Sequence, residues 1–181
     1  RLSSLCPTIS LLLIIPLWMI VKEVSRLYEV DKEYLSFAGK THEAFIKDYY
    51  ELLPYERDNA CFLFDFAKNL RSHGRFNDSN TMLRQGTIIS SDPMFYIIMG
   101  NNYKDMGYID LAENAYNMAF SIMPNRIYPF YQLMNLFIEN EDMRKAKEYA
   151  QKVVCFKEKI KSPATEQMKK EANDFLNSSC L

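Results

Sequence analysis

The sequence repeats itself about every 34 residues, and no other feature constrains the fold as much. Gly39, Gly74, Gly107 and Glu141 stand 35, 33 and 34 residues apart (74−39, 107−74, 141−107), and five residues after each comes a small residue: Ala44, Ser79, Ala112 and Ala146. A period of this length marks a stack of supersecondary units rather than one closed core. The units read as helical. Five glycines and seven prolines in 181 residues are few for an all-β chain, and the stretches between them are rich in Leu, Met, Lys, Glu and Ala. The charge is balanced, 22 basic against 23 acidic residues. That balance gives no footprint for nucleic acid and no acidic excess of the kind that keeps chains disordered.

Residue types within the period fit paired antiparallel helices. Gly74 and Gly107 allow the left-handed backbone that ends a first helix. Ala112 and Ala119 let helices approach closely, and Tyr96, Tyr103 and Tyr116 fill the gaps with large apolar area. Asp92 before Pro93 is a helix-start signal, and Pro124-Asn125 a stop. The stretch Pro93 to Arg126 resembles the tetratricopeptide repeat, with Tyr96, Met99-Gly100, Tyr103, Gly107, Ala112, Tyr116, Ala119 and Pro124 at the family's spacings. Phe130, Leu133, Phe137, Ala146, Ala150 and Val153 continue the pattern in the next copy, where Glu141 replaces the turn glycine. Leu63, Phe66-Ala67, Leu70, Gly74, Ser79, Leu83 and Gly86 carry it in the preceding copy, and Tyr34, Gly39, Ala44, Tyr49 and Pro54 in the most degenerate one. The expected fold is thus all-α, a tetratricopeptide-type helical-hairpin solenoid over residues 22–160, with units at about 27–59, 60–92, 93–126 and 127–160. One hairpin cannot bury its apolar face alone, so the units stack and need ends. Ser162-Pro163 opens a predicted capping helix over 161–177, with Ala164, Met168, Ala172 and Phe175 on one face. A frayed tail is expected from Asn177 to Leu181.

The chain opens differently. Between Arg1 and Lys22 lie twenty uncharged residues, including Leu11-Leu12-Leu13-Ile14-Ile15. About twenty apolar residues cross a bilayer core as a helix, and Trp18 sits near the charged end, where an amphipathic ring suits the interface. Residues 2–21 are therefore expected to be a transmembrane helix, the last span of a longer protein. A cleaved signal peptide and a buried soluble helix are the competing readings; Lys22-Glu23 directly after Val21 argues against the former. Lys22, Arg26 and Lys32 after the span favour a cytoplasmic C-terminal side.

Chemistry is sparse. His42 and His73 fall near turns without partners at metal-ligand spacing, so no metal site is expected. Cys6, Cys61, Cys155 and Cys180 form no CxxC pair. No phosphate loop or nucleophile elbow is present. Neither a catalytic residue nor a cofactor is expected in this chain. Binding is the better expectation. By analogy with the family, first helices line a groove, here Phe64, Lys68, Arg71, Ile97, Asn101, Lys104, Asp105, Tyr131, Asn135 and Ile138. That mixture suits an extended peptide or a helix of a protein partner. The positions that match the family's carboxylate clamp carry Phe64, Lys68, Ile98, Tyr128 and Gln132, so that clamp is absent.

Three local strings narrow the resemblance: Ser91-Asp92-Pro93-Met94-Phe95-Tyr96, Pro124-Asn125-Arg126-Ile127-Tyr128-Pro129 and Lys161-Ser162-Pro163-Ala164. With the apolar span before them, they resemble the C-terminal extension of O-antigen ligase/polymerase-type membrane proteins of Bacteroides-like bacteria. The resemblance implies an accessory domain in surface polysaccharide assembly at the bacterial inner membrane, with periplasmic repeats and other glycan-assembly proteins as partners. The alternative is a membrane-anchored scaffold that binds a protein and has no link to glycans.

Overall fold

The computed structural model describes residues 6–159 and 161–178, with side chains from residue 15 onward. Nine helices run through them: α1 (Cys6–Phe37), α2 (Phe45–Glu56), α3 (Ala60–Ser72), α4 (Phe76–Ile89), α5 (Met94–Asp105), α6 (Ile109–Ile122), α7 (Tyr128–Glu139), α8 (Met143–Val154) and α9 (Pro163–Ser178). Each helix packs on the next, and α3 also touches α5, as α7 touches α9. This is the connectivity of stacked hairpins.

The turns explain the period. Gly39, Gly74 and Gly107 have φ of 72°, 74° and 78°, and the fourth anchor, Glu141, has φ of 60°. After α3, the Gly74 N–H donates to Arg71 O and the Arg75 N–H to Leu70 O, both at 2.9 Å; after α5, Gly107 and Tyr108 do the same to Lys104 and Tyr103. These paired bonds satisfy carbonyls that a helix end otherwise leaves open, and they require a left-handed residue. Helix starts are sealed from side chains. Asn59 Oδ1 accepts from the Cys61 and Phe62 amides, Asp92 Oδ1 from Met94, and Asp142 Oδ1 from Lys145. Ser162 and Thr165 bond reciprocally at the start of α9, in the manner of a capping box.

The core forms two clusters. Tyr49, Phe62, Leu63, Phe66, Leu70, Leu83, Phe95 and Met99 build the first, with Tyr49 stacked on Phe66 at 4.8 Å. Tyr116, Leu133, Phe137, Ala146, Ala150, Val153 and Ala172 build the second, with Phe137 stacked on Tyr149 at 5.6 Å. Glycine has a packing role at Gly100, whose absent side chain makes room for a ring. A Cβ there would fall 2.4 Å from Tyr116.

α1 has two halves. Val30, Tyr34 and Phe37 are buried against the first cluster. Residues 15–29 are exposed on every side of the helix, Trp18 and Met19 each by 61 %. Among the described residues no helix is long and apolar enough to cross a membrane. The span expected over residues 2–21 falls largely outside the described side chains, as does the end of the tail beyond Ser178.

Candidate protein-interaction face

The odd-numbered helices lie side by side, tied by polar contacts one period apart. Tyr34 on α1 donates to Asp65 on α3 at 3.0 Å, and the Gly39 N–H reaches the same carboxylate oxygen at 3.0 Å. Arg71 on α3 pairs with Asp105 on α5 at 2.6 Å. Lys104 on α5 pairs with Glu139 on α7 at 2.9 Å. Tyr131 on α7 donates to Glu171 on α9. Residues 26 to 40 positions apart thus form one seam across the face.

The groove residues expected from the sequence fall mostly on this face. Phe64, Lys68, Arg71, Asn101, Lys104, Tyr131, Asn135 and Ile138 are half-buried, and Asp105 is exposed. Several are already engaged. Arg71, Asp105, Lys104 and Tyr131 hold their seam partners. Asn101 Oδ1 accepts the Tyr116 hydroxyl at 2.7 Å. The Lys68 ammonium lies 5.7 Å from the Phe64 ring. Phe64 meets Phe95 edge-on at 5.2 Å.

Ile97 is a correction. It is 2 % exposed and packs in the second core cluster, so it is no groove residue. α5 is turned so that position 97 faces α6 and α7, and Ile98 sits half-buried against the first cluster instead.

A buried polar network under the face escapes sequence reasoning, which reads Ser79 only as a small residue. Ser79, Asn80 and Asn102 are buried polar residues that form one network under the face. Asn102 Nδ2 donates to Ser79 Oγ at 2.9 Å and to Asn80 Oδ1 at 2.7 Å, and Ser79 Oγ donates to Ala67 O at 2.8 Å. Arg71 closes the network by donating to Asn102 Oδ1 at 2.8 Å. Satisfied networks of this kind fix the relative placement of helices. An available signal is the i, i+1 amide pair Asn101-Asn102 inside a helix, where neither residue caps an end.

Electrostatics follow the seam. Burial, with Asp65 next to it, pushes the Tyr34 hydroxyl far above the ordinary tyrosine range. The bond to Glu171 raises Tyr131, and the same bond holds the Glu171 carboxyl below the usual carboxylate range. Because the seam's ion pairs are internal, the face carries little net charge for a ligand. His42 and His73 are exposed and bonded locally: His42 Nδ1 accepts the Ala44 amide at 3.2 Å, and His73 Nδ1 lies 2.8 Å from Asn69 O.

No family model and no curated relative matches the sequence. Solved structures do. Two crystal structures of MamA match at 17 % identity, one with a TM-score of 0.56 over 75 % of this chain and 84 % of that one, the other with 0.60 over 82 % and 89 %. The Yersinia enterocolitica type III secretion translocator chaperone SycD matches at 15 % identity and a TM-score of 0.56, over 72 % of this chain and 96 % of that one. At such identities the likeness carries the architecture alone: the chain has a tetratricopeptide-like helical repeat fold.

Proposed function

We propose that this chain is a non-catalytic scaffold whose odd-numbered helices hold an extended or helical segment of a protein partner. The observation that carries this is the seam. Two of its ties are ion pairs that neutralise themselves, Arg71–Asp105 and Lys104–Glu139, and aromatic and amide groups such as Phe64, Asn135 and the rim of Tyr131 lie on the same face to meet a ligand. A face of that kind recognises shape and apolar side chains rather than a charged terminus. Segment 2–21 serves as the membrane anchor in this reading. The exposed apolar surface of Leu17, Trp18, Met19 and Ile20 supports it, since such a patch is otherwise an aggregation hazard. Lys22 stacks over Trp18 at 5.2 Å, a pairing suited to a headgroup boundary. The short strings quoted above support a place as the accessory C-terminal part of an O-antigen ligase/polymerase-like membrane protein in surface polysaccharide assembly, with the repeats in the periplasm of the inner membrane.

Photo-crosslinking in native membranes tests the binding face. A benzophenone side chain at Phe64 or Tyr131 is expected to yield discrete protein adducts, while one at exposed Met118 on α6 yields none. Equal adducts from all three positions would sink the assignment. Sidedness is read on Cys61 and Cys155, both exposed. Labelling by an impermeant thiol reagent in intact spheroplasts is the expected periplasmic outcome. Labelling only after permeabilisation would remove the glycan-assembly reading and leave a cytoplasmic scaffold.

A further inference from the structure

Two cavities meet at the edge of the stack, where the α6–α7 loop faces the segment before α9. The larger, about 480 Å³, has Met123, Ile127, Tyr128 and Met168 as apolar walls and Arg126 and Lys159 beside them, a volume within the usual range of ligand sites. The smaller, about 70 Å³, runs inward to Ile97 and Ala119 and shares Met123, Arg126 and Tyr128 with the larger.

The charge there is one-sided. Glu158, the carboxylate lining the larger cavity, is bound by Lys169 and held below the usual carboxylate range by that bond, and its side chain is only 8 % exposed. Arg126 and Lys159 have no ion-pair partner among the described residues. Ser162 and Thr165 bond to each other at the start of α9.

We propose that this edge is a second docking site, which takes a peptide segment of a protein partner bearing one bulky apolar side chain flanked by carboxylates. The apolar side chain enters the small chamber against Ile97 and Ala119, and a neighbouring carboxylate meets Arg126 and Lys159. A chamber of about 70 Å³ suits a single side chain. Methionines on both walls let the pocket adjust to the side chain it receives. The inference rests on the protein-interaction reading but uses a surface distinct from the seam.

The test uses the full chain in zwitterionic micelles, with methionine methyl groups observed by NMR. The probe is a blocked pentapeptide, acetyl-Glu-Asp-Leu-Asp-Glu-amide. The methyl signals of Met123 and Met168 are expected to shift, and an Ala-for-Leu peptide or one with amides for carboxylates is expected to leave them in place. The Arg126→Glu, Lys159→Glu double variant should weaken binding by about tenfold or more, and Lys47→Ala on the exposed side of α2 should not change it. Absence of shifts, equal binding of the neutral peptide, or shifts from short-chain phosphatidylglycerol instead would each overturn the proposal. If crosslinks from Phe64 and Tyr131 persist while this site stays silent, the scaffold reading stands and only the second site fails.

Discussion

Asn102 lies in mid-helix with no access to solvent, and its amide reaches α3 and α4 at once. Arg71 is the half-exposed member of that network, so its role is structural before it is recognitive. Removing it leaves Asn102 Oδ1 without its donor, and an orphaned buried acceptor costs about 1–3 kcal/mol. Arg71→Ala is therefore expected to lower stability by about that much in urea unfolding, while Lys68→Ala stays within about 0.5 kcal/mol. Equal, small effects from both would show that the network contributes nothing. From the sequence, both residues look like solvent-facing groove members, because period and phase place a side chain on a face without revealing its partners. The turn residues are the opposite case. Gly39, Gly74 and Gly107 are legible because a left-handed backbone filters residue types so strongly, whereas Glu141 is legible only through its spacing from them. Ile97 was misplaced because Ile97 and Ile98 are chemically identical, and only the packed rotation of α5 separates them.

At the scale of the element, the joint of α1 against α2 carries a buried carboxyl. Glu56 on α2 is 5 % exposed, and its carboxyl faces that of Asp31 on α1. Two carboxyls in contact need a proton between them. Burial drives the Glu56 carboxyl above the usual range; Asn59, donating at 2.8 Å, opposes this, and Asp31 adds to it. The sign follows. A carboxyl whose folded pKa is raised contributes stability in full below its unfolded value of about 4.3 and loses it as pH rises through the folded value. The α1–α2 joint should accordingly loosen as pH climbs out of the acid range. Glu56→Gln keeps an acceptor for Asn59 and supplies a donor for Asp31, so it should be more stable than the native chain at pH 8 and equal or weaker at pH 4. Titrating groups other than Asp31, which is coupled to position 56, are common to both proteins and cancel in the difference. A variant that keeps the native pH slope would show that the pair is not responsible. None of this was legible beforehand, because Asp31 and Glu56 are 25 positions apart and belong to the most degenerate copy of the pattern.

At the scale of the molecule, stability should be a sum of neighbours. Contacts run from each helix to the next and across adjacent hairpins, so no residue near one end packs against the other. In such stacks a terminal element protects only the unit it covers. α9 covers α7 and α8: Ala172 is fully buried in the second cluster, with Met168, Phe175 and Leu176 packed around it. Tyr131 and Glu171 add a polar tie from α7. Removing the cap would expose the faces carrying Leu133 and Val153, which are fully buried in its presence. Ending the chain after Cys155 should speed amide exchange in α7 and α8 by about a hundredfold, equivalent to losing roughly 2.7 kcal/mol of local stability. Exchange in α3 and α4, enclosed by the first cluster, should change by less than about threefold. Ala172→Glu is the point-variant counterpart and should move the same amides in the same order, by placing a charge where no solvent reaches. The two halves share α5, which gives Phe95 and Met99 to one cluster and Ile97 to the other. If exchange in α3 rises as much as in α7, that shared helix transmits the loss and the chain behaves as a single cooperative domain, not as a stack.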